Sequence, residues 1–305
     1  MRAHKQNGFT LVEMIVVIVI TGIIAGIVAV FIRAPMQGYV DSARRAELTD
    51  VADTAVRRLA RDIRTAVPNS IRTTGCGVPC VEFLPTKDGG RYRAQQASGV
   101  GDVLNFDAAD GSFDVIGSAI VVVGGDSAYC NLADCDHIVV GSTQSDGNPP
   151  YLAPATDGSI RRTVAAAGTV NNISVTATAK PLPASARLWD ANPPSQRFDV
   201  VDGTQDAVTY ACEGTLGALD ANGNGQAKLV RHWKYGFNEA QLAPVGGSSA
   251  LLANNVSGCV INYVNPVNPA TGVFARFGLV EIHLTLTQAN ESVSLFNEIH
   301  VSNAP

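Results

Sequence analysis

The sequence predicts an α+β protein, in which a long N-terminal helix packs on an antiparallel β-sheet domain with long loop insertions. The first 66 residues carry an apolar run of membrane length and then apolar residues at helical spacing. Beyond residue 69, short apolar or alternating runs separated by Gly, Pro, Asn and Asp are typical of strands. Residues 107–195 hold long Gly-, Ala-, Ser-, Asp- and Pro-rich stretches, which we interpret as loop insertions on a single sheet flanked by the helix.

Residues 9–32 form an apolar run in which Glu13 is the only charged residue. As a helix this run would be about 36 Å long, enough to cross the hydrocarbon core of a bilayer. A carboxylate in hydrocarbon is costly, so Glu13 is a functional candidate that needs a partner. A cut between Gly8 and Phe9 would create an α-amino group, and this group on a neighbouring copy would be a suitable cation.

The short basic leader, Gly8 and the F-T-L-V-E run at residues 9–13 resemble the N-terminus of type IV pilins and type II secretion pseudopilins. The resemblance implies that a prepilin peptidase cuts after Gly8 and methylates the amine of Phe9. It also implies that Glu13 pairs with the amine of an adjacent subunit, and that an inner-membrane assembly platform joins pilin subunits through their N-terminal helices. The alternative is a signal-anchor helix with an incidental Glu. A cleaved secretory signal fits less well, because its apolar region would span about 7–15 residues.

Charge and cysteine content indicate where most of the chain lies. The net charge of -5 and the pI near 5.5 disfavour nucleic acid as the main partner. All six cysteines follow the apolar run, and their even number suits an oxidising compartment. We therefore expect a single-pass inner-membrane protein with a periplasmic C-terminal domain, which later enters a pilus or pseudopilus. Arg33, Arg44 and Arg45 outnumber Arg2 and Lys5, so this orientation follows from the motif and the cysteines, against the positive-inside rule.

The helical region carries two further signals. Gly22 and Gly26 form a small-xxx-small pattern that lets another helix approach closely, although glycine is also common in membrane helices generally. Pro35 and Gly38 predict a helix break, by kinking or local melting, at the membrane exit. The predicted divisions are a leader (1–8), a transmembrane and filament-core helix (9–34), an amphipathic periplasmic helix (35–66) and a β-rich globular domain (67–305).

Strict alternation over residues 280–287 and again over 293–301, with a turn at Gln288-Ala289-Asn290 between them, predicts a C-terminal β-hairpin. The alternation points the apolar residues of each strand to one face. Further strands are predicted at residues 81–84, 103–106, 119–123, 137–140, 173–178, 198–201, 207–212, 228–235 and 260–264.

The cysteines fall into two close pairs and one distant pair, and we predict disulfides within each pair from proximity and strand context. Six thiols allow 15 connectivities, so other pairings stay open. A four-thiolate zinc site is the alternative, disfavoured because the spacings depart from C-x2-C and the compartment is oxidising. The predicted pairs are Cys76 with Cys80, Cys130 with Cys135, and Cys212 with Cys259.

Residues 220–225 match the first half of a calcium-binding loop, D-x-[DN]-x-[DN]-G, in which alternate side chains point oxygen atoms inward. The candidate calcium ligands are Asp220, Asn222 and Asn224. The twelfth position is Arg231 instead of the bidentate Glu, and Asn-Gly is also ordinary hairpin-turn chemistry, so a plain turn is favoured over calcium.

No H-E-x-x-H, G-x-S-x-G or phosphate-loop motif occurs, so we do not expect an enzyme or a catalytic residue. We expect no cofactor, with calcium as the alternative. Residues 197–202, 208–212, 256–259 and 278–280 look like larger minor pilins and J- or W-type pseudopilins, and most resemble the O-type minor pilin of the mannose-sensitive haemagglutinin (MSHA) pilus. The leading hypothesis is therefore a structural minor pilin or pseudopilin. The alternative is an adhesin-like tip subunit whose insertions contact a surface, a sugar or a secreted partner.

Overall fold

The computed structural model describes residues 9–96, 98–125, 134–142, 149–176, 181–183, 195–243, 246–264 and 277–303. These residues contain one long helix, one short 3-10 helix and fourteen strands. The helix α1 spans Leu11–Ile63, and the 3-10 helix spans Pro149–Tyr151. The strands are β1 Cys80–Phe83, β2 Thr86–Tyr92, β3 Ser112–Ile116, β4 Ile120–Val122, β5 His137–Val140, β6 Arg161–Thr163, β7 Gly168–Val170, β8 Asn172–Ser174, β9 Arg197–Val201, β10 Val208–Leu219, β11 Gly225–Trp233, β12 Ser248–Val264, β13 Phe277–Gln288 and β14 Glu291–Ser302.

The helix α1 is continuous over 53 residues, which gives a rod about 80 Å long at 1.5 Å per residue. It runs through Pro35 and Gly38 without interruption, so the predicted local melting at these two residues is wrong, whereas the predicted kink stays a prediction. A proline removes one backbone donor and its ring crowds the carbonyl group four residues earlier, so the helix continues past Pro35 with one hydrogen bond fewer. A side chain at Gly38 would meet no atom within 4 Å. The apolar run and the amphipathic stretch therefore form one continuous helix.

The C-terminal half of α1 packs on a six-stranded antiparallel sheet, the first sheet, with the order β1-β10-β11-β12-β13-β14. One face of the helix supplies apolar side chains at three- and four-residue spacing, as predicted. Its polar face also contributes, because Asp62 accepts hydrogen bonds from the Tyr210 hydroxyl (2.6 Å) and from Nε of Arg231 (2.9 Å). The buried helical side chains are Leu48, Ala52, Ala55, Val56, Leu59, Ala60 and Ile63.

The predicted C-terminal hairpin is confirmed. Strands β13 and β14 pair from Phe277 opposite Ser302 to Gln288 opposite Glu291. The two turn residues, Ala289 and Asn290, both have positive φ angles of 48° and 66°. Two consecutive left-handed residues are typical of a two-residue type I′ turn, whose twist matches that of the flanking strands.

A second six-stranded antiparallel sheet, with the order β6-β5-β9-β2-β3-β8, lies beside the first, and β4 pairs with β7 in a small third sheet. The prediction of one sheet with loop insertions at residues 107–195 is therefore wrong in this respect, because β3 to β8 lie in that range. The chain enters the second sheet directly, since only Leu84 and Pro85 separate β1 from β2. The second sheet has its own core, which includes Tyr92, Phe113, Ile138, Ile173 and Phe198.

A buried ion pair marks the junction between the two sheets. Nε of Arg72 donates to Oε2 of Glu82 on β1 at 2.7 Å, and the two side chains are only 7% and 1% exposed. The Tyr235 hydroxyl donates to the other carboxylate oxygen of Glu82 at 2.9 Å. The ring of Tyr151 lies 3.6 Å from Cζ of Arg72. Burial raises the pKa of Glu82, and the hydrogen bond and charge of Arg72 oppose this rise. Arg72 therefore joins β1 to the segment that leads into β6.

We predict that Leu59→Ala destabilises the protein by about 2–5 kcal/mol, because Leu59 is fully buried between α1 and the first sheet and its removal leaves a cavity. Urea unfolding of the full chain in detergent, followed by circular dichroism, measures the change. Leu242→Ala is the matched control, since Leu242 is 54% exposed. Equal effects of the two substitutions would contradict the packing described above.

Candidate functional site

The start of α1 holds the candidate site predicted from the sequence. Thr10 is the N-cap residue, and its Oγ1 accepts a hydrogen bond from the backbone N–H of Glu13 at 3.3 Å. In return, the backbone N–H and the hydroxyl of Thr10 both donate to Oε2 of Glu13, at 3.5 Å each. This is a capping box, which satisfies backbone donors at a helix start reciprocally. The carboxylate of Glu13 thus lies against the N-terminus of its own helix.

The capping role of Thr10 was not predicted. The signal was present, since a Ser or Thr followed three residues later by Glu, before an apolar run, is the sequence signature of a capping box. Gly8, the other half of the predicted cleavage site, lies outside the described residues, whereas Phe9 is described and is 83% exposed.

The apolar half of α1 is exposed on every face. No residue from 9 to 33 is buried, and the helix contains a membrane-length window with a mean hydropathy of 3.2. Exposed apolar surface of this extent marks an interaction site with a membrane or with other proteins. The second threonine of this half, Thr21, satisfies its hydroxyl inside the helix by donating to the carbonyl oxygen of Val17 at 2.6 Å. Glu13 is the only charged side chain among residues 9–32, so its charge is the one that needs a partner outside this helix.

Gly22 and Gly26 leave an open groove on one side of this exposed half. A side chain at either position would meet no atom within 4 Å. The groove walls are formed by Ile23, Ile27, Val30 and Phe31. Such a groove lets the backbone of a second helix approach closely, which is the geometry that small-xxx-small patterns provide in membranes.

The four disulfide-bonded cysteines lie in and around the first sheet. Disulfides join Cys76 to Cys80 and Cys212 to Cys259, which are two of the three pairings expected from the sequence. The second bond links β10 to β12 across the intervening β11. Of the third pair, Cys130 lies outside the described residues, and Cys135 is buried. Among the described residues, no group of three or more His, Cys, Asp and Glu side chains is arranged to hold a metal ion.

The candidate calcium loop forms the tip of the β10–β11 hairpin. Oδ1 of Asp220 accepts hydrogen bonds from the backbone N–H groups of Asn222 and Asn224, both at 2.8 Å, and Oδ2 accepts from the side-chain amide of Asn224 at 3.1 Å. These bonds lower the pKa of Asp220. The side-chain oxygen of Asn224 accepts from the backbone N–H of Ala289 at 3.0 Å. This is the geometry of an Asx turn docked on the β13–β14 turn, and calcium binding stays a prediction.

The described histidines do not gather around one point. His137 is enclosed by the Arg161 guanidinium and the ring of Phe237, whose centroid lies 4.6 Å from the imidazole. Burial lowers the pKa of His137 to about 3, so the ring is neutral and behaves as a core side chain. Nε2 of His232 lies 2.6 Å from a carboxylate oxygen of Glu213 on the neighbouring strand.

These features define a class of protein: a β-rich domain carried on one long helix, whose first half is suited to lipid or to other helices. Residues 3–29 match a family model described as "Prokaryotic N-terminal methylation motif". The match supports the type IV pilin and pseudopilin superfamily and a subunit with a prepilin-type signal, and together with the single apolar helix it fits an inner-membrane anchor. No curated protein and no solved structure matches the chain.

We predict that Asp220→Ala lowers the unfolding temperature by the same amount with calcium and with a chelator, because the carboxylate acts on the turn through its hydrogen bonds. Differential scanning calorimetry in calcium, in EGTA and in magnesium measures this, with magnesium as the control for ionic strength. A calcium-specific stabilisation of the wild-type chain that Asp220→Ala removes would instead establish a metal site.

Proposed function

We propose that the chain is a minor pilin or pseudopilin, a structural subunit that is cleaved after Gly8, held in the inner membrane by α1, and assembled into a type IV pilus-like filament or its priming complex. The observation that carries the proposal is the single carboxylate of Glu13 at the start of an apolar helix that the rest of the chain leaves uncovered. The match of residues 3–29 to the methylation motif supports it.

The proposed mechanism begins with the cut before Phe9. Cleavage by a prepilin peptidase would leave a cationic α-amino group one residue before the N-cap Thr10, and methylation would keep its charge. Each subunit would then carry one positive and one negative group about one helical turn apart. Two copies placed side by side with a small axial offset could pair the amine of one with Glu13 of the other. Because a lone charge in a low-dielectric environment is costly, this pairing selects one axial register between neighbouring helices.

The internal hydrogen bonds of Glu13 are compatible with this exchange. Both bonds from Thr10 to the carboxylate are 3.5 Å long, at the outer limit of a hydrogen bond. A short bond to a charged amine would be the stronger interaction. The capping box therefore gives the carboxylate a partner in the isolated subunit without preventing a stronger partner from replacing it.

The apolar groove at Gly22 and Gly26 supports packing of the same helix against other pilin subunits. In the membrane, lipid chains would cover this surface, and in a filament neighbouring helices would cover it. The two disulfides support a periplasmic position for the domain, since such bonds persist in oxidising compartments. The proposed partners are accordingly the prepilin peptidase, an inner-membrane assembly platform and other pilin subunits.

The partial resemblance to the O-type minor pilin of the MSHA pilus belongs to the proposed minor-pilin role. A binding role at the filament tip, as in an adhesin-like subunit, is the second candidate. The second sheet favours it, because the described part of residues 107–195 contributes strands to a sheet that has a core of its own. The turn around Tyr151 is part of that unit, since the Tyr151 hydroxyl donates to the carbonyl oxygen of Ser70 at 2.9 Å. Binding tests should therefore use point substitutions in preference to deletions of this segment.

We predict that the mature chain begins at Phe9 with a methylated amine, and that Gly8→Val leaves the leader attached. Intact-mass and N-terminal peptide mass spectrometry of membrane-extracted protein measure both outcomes. Gly38→Val is the matched control, because Gly38 is exposed and outside the leader. A mature N-terminus elsewhere would contradict the proposed processing.

We predict that Glu13→Gln is cleaved normally and stays in the membrane but is lost from sheared filaments by at least about tenfold, since it removes the anionic partner of the neighbouring amine. Immunoblots of membrane and sheared fractions from the expressing strain measure this.

The matched control is Glu47→Gln, which removes one exposed carboxylate from the same helix beyond the apolar half. Normal entry of the Glu13→Gln variant into filaments would show that the amine–carboxylate pairing is wrong, while the cleavage and anchoring steps would stand.

A further inference from the structure

A groove of about 560 Å³ lies where the end of α1, the second sheet and the last strand of the first sheet meet. Three arginines from three elements line it: Arg64 directly after α1, Arg91 on β2 and Arg197 on β9. All three side chains are exposed, and none has a hydrogen-bond or ion-pair partner among the described residues. We call this site the arginine groove. It concentrates positive charge on a chain whose net charge is -5.

The strand register brings two of these arginines together. Arg91 on β2 lies directly opposite Arg197 on β9 in the antiparallel pair. Directly opposite residues have Cβ atoms about 4.5–5.5 Å apart, and like charges in this position destabilise a sheet. A cross-strand pair of guanidinium groups with no ion pair to either is therefore unfavourable in the empty protein, although Asp199 offsets part of this charge. An oxyanion placed between them would remove the repulsion and accept hydrogen bonds from both.

The floor of the groove leaves room for a ligand. Gly89 lies opposite Asp199 in the same strand pair, so the place beside the arginines carries no side chain on β2. Gly90 faces the core instead, where an added side chain would meet Phe198 and Ile120 at less than 3.0 Å. The groove volume lies within the roughly 300–1,000 Å³ range of small-molecule sites.

The remaining lining indicates the chemical class of the ligand. Apart from the charged residues it consists of the hydroxyl-bearing Thr65, Thr86 and Ser302, of alanine, proline and glycine residues, and of Phe198, whose side chain is buried. The floor strands β2 and β9 are interior strands of the second sheet, so neither has a free edge for an added peptide strand. The lining also has no exposed large apolar side chain that could seat a peptide side chain. Hydroxyl groups and guanidinium groups together suit a sugar that carries acidic groups.

A lipid headgroup does not suit the position of the groove. Arg64 lies 32 residues beyond Ile32, the end of the apolar run, which corresponds to about 48 Å along the helix axis. Attraction to an anionic membrane surface falls off within a Debye length of about 8–10 Å. The ligand therefore comes from the aqueous phase.

We propose that the arginine groove binds a soluble acidic oligosaccharide, whose sulfate or carboxylate groups are held by the guanidinium groups of Arg64, Arg91 and Arg197. The remaining charged side chain in the lining, Asp199, opposes this binding when it is ionised. Burial raises the pKa of Asp199 to about 6, and the charge of Arg197 opposes this rise. Protonation below that pH increases the net charge of the lining from +2 to +3, so binding should tighten as the pH falls.

The test uses the full chain in detergent and a fluorescent heparin-derived tetrasaccharide, with binding measured by fluorescence anisotropy. We expect Arg91→Gln and Arg197→Gln each to weaken binding by about tenfold, since each removes a charge-assisted contact. Asp199→Asn should tighten binding severalfold at pH 7.5 and abolish the dependence on pH. The matched control is Arg58→Gln, which removes one exposed positive charge from α1 outside the groove and should change the affinity less than twofold.

Folding is checked separately by thermal unfolding, because Arg197→Gln relieves a like-charge contact and should not lower the unfolding temperature. Equal weakening by Arg197→Gln and Arg58→Gln would show general charge attraction and overturn the proposal. Stronger binding of hexaglutamate than of the tetrasaccharide would overturn the saccharide assignment in favour of an acidic peptide. Because saccharide binding is measured on the purified subunit, its result is independent of whether the subunit enters filaments.

Discussion

The apolar surface of α1 is the constraint on which the rest of the molecule depends. The globular domain buries one face of the helix from Leu48 to Ile63, yet it reaches none of residues 9–33. Fully burying an apolar side chain contributes about 1.5–3 kcal/mol, so this uncovered half demands lipid or other helices. Because α1 continues through Pro35, one uninterrupted helix joins the domain to the apolar half. Any transfer of the apolar half from lipid to protein therefore moves the domain with it.

The polar groups of the apolar half are satisfied mostly within the helix itself. A helix start leaves backbone donors without partners, and in this chain Thr10 and Glu13 satisfy them mutually. The hydroxyl of Thr21 is satisfied within its own helix. What remains is the negative charge of Glu13, which hydrogen bonds from neutral groups offset only in part. The local geometry thus reduces the cost of placing this residue near hydrocarbon and still favours a cationic partner.

The sequence predicted those parts of the fold in which one period persists over many residues. The amphipathic half of α1 and the two 12-residue strands of the C-terminal hairpin belong to this group. Strands β5 and β9 of the second sheet were predicted, but the sheet as a unit was not, because strands such as β6 and β7 have three residues each, too few to show alternation. Strand β2 (T-K-D-G-G-R-Y) escaped because it is polar and glycine-rich. The opposite error occurred at residues 103–106, where the apolar Leu104 and Phe106 suggested a strand that the backbone does not form.

The candidate site at the start of α1 was predictable from the sequence, because Phe9 and Glu13 belong to one local motif. The arginine groove was not, because its residues are far apart in the sequence.

The buried pair of Arg72 and Glu82 explains how that groove keeps its shape. A buried ion pair often adds little net stability, because desolvation of the two charges offsets their attraction, but a displaced partner would leave an unpaired buried charge. Arg72 also donates hydrogen bonds to the carbonyl oxygens of Asn238 and Glu239, at 2.6 and 2.7 Å, so several segments must stay in place together. The backbone N–H of Thr86 donates to the carbonyl oxygen of Thr65 at 2.7 Å, which ties the start of β2 to the end of α1. These contacts hold the second sheet against the end of the helix, and only in that arrangement do Arg64, directly after α1, and the arginines on β2 and β9 line one groove.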